Sequence, residues 1–194
     1  IGGDKTFGTY PTWKFNVFNA NNSFSDQNYV GYGTATAPGT GSPVGILDQN
    51  YGTSAPTFTT GTGSCALTCG TDNFSVRFRT NKTYSNGVYV FRSANGSNAA
   101  NNDDGAGLAI NAGFDTDGGT YIAGLNSTTT SSTNQISAPV LLNGNYSLIY
   151  DMVEASGGAR AALNECQMTG GDLTAYGSGN WRVYDYSTAD YTFT

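Results

Sequence analysis

The chain has 194 residues with 8 Lys or Arg, 14 Asp or Glu and no histidine, giving a net charge of −6. That length suits a single domain, residues 1–194. An acidic chain without a basic cluster excludes a nucleic-acid partner, which needs cations to neutralise phosphates, and the lack of histidine excludes Ser-His-Asp and Cys-His catalytic sites.

In chain order, Trp13–Phe18 reads as the first strand, because Trp13, Phe15 and Val17 share one parity. Residues 19–72 are rich in Gly, Thr, Asn and Pro, and a plain loop of that length is unusual in a compact domain. Short strands are therefore expected inside it, near Tyr29–Tyr32 and Thr57–Thr60. Phe74–Arg79 alternates apolar and polar residues, Asn86-Gly87 reads as a turn, and Val88–Arg92 as the next strand. Gly107–Asn111 follows, then a variable loop that includes the low-complexity run Ser127–Thr133. Pro139–Leu142 reads as a short strand and Asn143-Gly144 as a hairpin signal. Asn145–Met152, Ala159–Leu163, Trp181–Tyr186 and Tyr191–Phe193 complete the set. No helical stripe or internal repeat is visible. The expected fold is all-β, a two-sheet antiparallel β-sandwich with long loops.

Charged residues make up only 11% of the chain, and its polarity comes from Gly, Asn, Ser and Thr. That composition suits a secreted or cell-surface β-protein. The chain begins at Ile1, which fits a removed leader or an N-terminal boundary, and no apolar run of 18 residues suggests a transmembrane segment. Cys65 and Cys69 bracket a short segment, and a small-loop disulfide is favoured there over a zinc site, because the spacing is not CxxC and no histidine can help. Cys166 is left over and reads as a buried apolar thiol or an intermolecular link.

Four blocks occur in a telling order: Asn73–Phe78, Asn86–Phe91, Asn102–Ile110 with its Asp-Asp-Gly turn, and Pro139–Tyr150 leading into Glu154–Arg160. Together, residues 73–163 resemble the PA-fourteen β-sandwich family of the anthrax protective antigen, bacterial adhesins and yeast flocculin heads. The resemblance implies a β-sandwich, and in the sugar-binding members a calcium ion held by two successive aspartates joined by a cis peptide. Such a bond turns both carboxylates to one side, where a cation requiring six to eight oxygens can hold them.

On that resemblance Asp103 and Asp104 would be the metal ligands, and Gly105 would supply the backbone freedom of the turn. A sugar would add two vicinal hydroxyls to the calcium. The loop after the Tyr146–Tyr150 strand, Asp151–Gly158, would complete the site. It lacks the asparagine of the flocculin branch, so Asp151 or Glu154 would substitute, or backbone carbonyls alone would serve. The competing readings are a simple Asp-Asp-Gly turn, and for Glu154 a solvent-facing charge. Tyr29, Tyr32, Tyr51 and Tyr121, in loop-like contexts, are candidate stacking surfaces.

The expected function is calcium-dependent binding of cell-surface or matrix glycans, and not catalysis. Adjacent Asp103 and Asp104 are too close for a two-carboxylate glycosidase, whose acids lie about 5–10 Å apart. The alternative is a structural subunit of an extracellular filament or surface layer. There the aromatic tail of Tyr184, Tyr186, Tyr191 and Phe193 would pair with further copies of the chain.

Overall fold

The computed structural model describes residues 12–35, 46–60, 69–93, 104–128 and 135–167. About two thirds of them are strand. The elements are β1 (Trp13–Phe18), β2 (Tyr29–Ala35), β3 (Leu47–Gly52), β4 (Thr59–Thr60), β5 (Phe74–Ser93), β6 (Ala106–Ala112), β7 (Tyr121–Ser127), β8 (Gln135–Ile136), β9 (Val140–Glu154) and β10 (Ala159–Gln167). Among the described residues the only helical element is a single 3-10 turn at Asp26–Asn28. The all-β expectation holds, and every strand pairing is antiparallel.

The main ladder runs β4-β2-β1-β5-β9-β6-β7. Its inner face is apolar because alternate residues point the same way. Trp13, Phe15 and Val17 of β1 lie beside Phe74, Val76 and Phe78 of β5, then Leu148, Tyr150 and Met152 of β9, all buried. Phe78 sits at the centre, with ring centroids 5.5 Å from Phe15, 6.4 Å from Tyr150 and 6.5 Å from Trp13.

The β3–β10 pair lies against this inner face. Trp13 Nε1 donates to Ile46 O at 2.7 Å, Tyr150 Oη donates to Ala162 O at 3.0 Å, and Tyr51 packs edge-on to Phe74. Arg160 holds Asp48 with two hydrogen bonds, at 2.7 and 2.6 Å, across β10 and β3. Lys82 and Tyr84 of β5 both reach Glu165 of β10. β10 pairs with both β3 and β5, so it joins the β3–β10 pair to the main ladder, while β5 pairs with β1 and β9 along its first part and with β8, β9 and β10 along its second.

The long reach of β5 corrects the two expected Asn-Gly turns. Neither reverses the chain. Tyr84 pairs with Gly144 and Gly87 with Leu142, so Ser85 and Asn86 together oppose Asn143. The two signals face each other and make a bulge in one long ribbon, and the four expected strands merge into β5 and β9. β3 and β7, unforeseen as strands, carry Tyr51 and Tyr121, and Tyr29 and Tyr32 lie on β2; none of the four is a loop residue. The aromatic tail and the low-complexity run beyond Thr128 lie outside the described residues.

Candidate functional site

At one end of the main ladder the start of β6 meets the loop between β9 and β10. The ladder pairs Ala106 with Met152, and Val153 N donates to Gly105 O at 3.1 Å, so the Asp104-Gly105 segment lies alongside the last residues of β9. Gly105 has φ 153°, a conformation that side chains rarely adopt. Asp104 then reaches across the chain. Its Oδ2 accepts hydrogen bonds from Ala155 N at 2.6 Å and Ser156 N at 3.2 Å.

Asp72, just before β5, grips the same loop from the other side. Its Oδ1 accepts from Gly157 N at 3.1 Å, while Asn73 N donates to Ala155 O at 3.3 Å. Three successive N–H groups, at residues 155–157, thus point at two carboxylates. Among the described residues each carboxylate uses one oxygen and keeps the other without a hydrogen bond. Asp72 was missed in the sequence because a lone Asp in a Gly/Thr/Asn run looks like any turn residue.

Asp151 goes elsewhere. It is fully buried on the outer face of β9, opposite Arg77 of β5 and Gly107 of β6. Arg77 holds it with two bonds, Nε–Oδ1 at 2.8 Å and Nη2–Oδ2 at 2.7 Å, and Tyr121 Oη donates to Oδ2 at 2.5 Å. The arrangement depends on Gly107: a Cβ there would come within 2.8 Å of the Tyr121 ring. The Asp151 bond raises the Arg77 pKa further, and burial together with the Asp151 charge pushes the Tyr121 hydroxyl above its ordinary value. This carboxylate is committed to its neighbours and is not brought to Asp104.

Glu154 is fully buried at the end of β9, opposite Phe74 and on the core side, so it is not a solvent-facing charge. Of the remaining expectations, Asp103 and Cys65 lie outside the described residues, and so do the Asp103–Asp104 peptide and the Cys65–Cys69 pairing. The side chain of Cys166 is also outside them, although its backbone pairs with Val90. Cys69 is half-buried against the core, and burial pushes its thiol up to about 11.

The fold and this junction define an antiparallel all-β domain with an acidic loop clamp at one end. Its sequence matches no family model and no curated protein.

Proposed function

We propose that the chain is an extracellular glycan-binding domain whose calcium-assisted sugar site lies at the junction of the Asp104-Gly105 turn with residues 155–158. The observation that supports this reading is the pair of bonds from Ala155 N and Ser156 N to Asp104 Oδ2, which ties the Asp104 turn to the 155–158 loop. Asp151 is not among the ligands of this site, because Arg77 and Tyr121 occupy its carboxylate.

The donor chemistry suits calcium, which takes oxygen ligands. Asp104 Oδ1 and the second oxygen of Asp72 have no hydrogen bond among the described residues, and Asp103 adjoins Asp104 in sequence. No group of three Cys, Asp or Glu side chains converges among the described residues. The rest of a calcium shell here would therefore come from Asp103, backbone carbonyls and the sugar itself. When bound, the ion would supply a positive centre for vicinal hydroxyls. The chain's own part is to fix Asp104 through two backbone amides.

Isothermal titration with calcium chloride, followed by a glycan array run in calcium and in EDTA, tests this. The expected result is saturable calcium binding and calcium-dependent glycan capture. Asp104→Asn keeps an oxygen for the two amides but removes the charge, and should weaken calcium binding by about tenfold or more. Absence of calcium binding by the wild type, or an unchanged affinity in Asp104→Asn, would sink the reading.

A further inference from the structure

The outer face of the main ladder carries a second feature. β1, β5 and β9 place alternate residues there in register: Lys14 beside Arg79, Asn16 beside Arg77, Arg79 beside Ile149, and Asn81 beside Ser147. The loop after β6 rises along one side. Between loop and strands lies a cleft of about 460 Å³, within the range of roughly 300–1,000 Å³ typical of small-ligand sites.

The loop wall is held rigidly. Asn81 Nδ2 donates to Asp115 Oδ1 at 2.8 Å, and Asp115 N donates back to Asn81 Oδ1 at 3.1 Å. Thr116 N donates to Ser147 Oγ at 3.0 Å, and Ser147 Oγ bonds to Asn81 Oδ1 at 2.9 Å. These bonds hold Asp115 at φ 55°, which an isolated chain visits rarely.

One charged group of the lining is exposed and unpaired, and two of its polar atoms are buried without a hydrogen bond among the described residues. Lys14 is exposed and forms no ion pair among the described residues. Arg79 Nε lies 3.0 Å from Asp117 Oδ1 as an ion pair, but off-line, so its N–H makes no hydrogen bond. The Thr116 hydroxyl also has none. The charges balance: Lys14, Arg77 and Arg79 stand against Asp115, Asp117 and the Asp151 beneath Arg77.

That balance selects the ligand. A polyanion would meet Asp115 and Asp117, and an apolar molecule would strip water from charged groups without replacing its bonds. A hydroxyl donates to a carboxylate and accepts from an ammonium or guanidinium, so a polyhydroxylated neutral molecule satisfies both signs at once.

We infer that this cleft binds a neutral oligosaccharide without calcium, as a site separate from the Asp104 junction. Arg77, the lining residue nearest the junction, pairs with Asp151, four residues from Ala155, on the order of 13 Å at about 3.3 Å per strand residue. The only apolar side chain in the lining is Ile149, so binding rests on hydrogen bonds and is weak and specific.

The test is a ¹H–¹⁵N NMR titration of the whole chain in EDTA with neutral gluco-, manno- and galacto-hexasaccharides and with a heparin hexasaccharide. At least one neutral sugar should shift amides of residues 14–16, 79–81 and 115–117 saturably, and heparin should not. Lys14→Ala and Asp117→Ala, both at exposed side chains, should each weaken binding by about fivefold, the loss of one hydrogen bond, with an unchanged melting temperature. Asp104→Asn should bind as the wild type does, which separates this site from the calcium reading. The inference is overturned if no neutral sugar shifts these amides, if only heparin does, or if both alanine variants bind normally.

Discussion

Asp151 and Asp104 lie near the same end of the β6–β9 ladder. Asp151 is fully buried, with Arg77 and Tyr121 satisfying both oxygens; Asp104 is only half-buried and spends one oxygen on the backbone of the next loop. The neighbours explain the contrast. Asp151 sits inside the ladder, where an unpaired charge is costly and a bidentate Arg removes the cost. Asp104 sits where pairing ends and loop amides lack strand partners, so its carboxylate completes their hydrogen bonding. A carboxylate locked on all sides is scaffold. One that organises a loop and keeps an oxygen in reserve can take a ligand.

The largest expected effect comes from breaking the locked side. Asp151→Ala should cost about 3 kcal/mol or more of folding stability, because it leaves Arg77 and the Tyr121 hydroxyl without their acceptor. Urea denaturation measures it, and a loss below about 1 kcal/mol would mean the pair is ordinary surface chemistry. Gly107→Val should cost about 2 kcal/mol by pushing the Tyr121 ring off Asp151, and combined with Tyr121→Phe the penalties should be less than additive.

Asp104→Ala should cost about 1–2 kcal/mol, the value of a charged acceptor for two amides. Its main effect should be faster hydrogen exchange at residues 155 and 156, which Asp151→Ala should not reproduce once corrected for global stability.

The smallest effect is with pH. The folded protein holds the Tyr121 proton more tightly than the unfolded chain does. Its contribution is therefore complete below the ordinary tyrosine pKa of 10.0, and is lost as pH rises beyond it toward the folded value. Melting temperature should hold up to about pH 10 and then fall, and Tyr121→Phe should make the alkaline fall shallower.

Much of the scaffold was legible in the sequence. Trp13, Phe15 and Val17 on one parity, and Phe74, Val76 and Phe78 on another strand, announce the inner face. The turns were less legible. Asn86-Gly87 and Asn143-Gly144 are strong local signals, but register placed them opposite each other, where they relieve a ribbon rather than end it. β3 was invisible because Leu-Asp-Gln-Asn-Tyr-Gly reads as loop, and its strand character comes from pairing with β10. The resemblance pointed to Asp104 and to the 151–158 loop, and two backbone hydrogen bonds join them. Asp72 and the Asp151 lock were not legible, because both depend on residues more than 70 positions away in the chain.

The most direct test of the central claim is a calcium titration followed residue by residue in ¹H–¹⁵N NMR spectra. The expected result is saturable shifts at residues 104–106, 72–73 and 155–157, with residues 14–16 and 79–81 unmoved. Shifts that are absent, or that map to another surface, would contradict the assignment of the Asp104 junction as the calcium site.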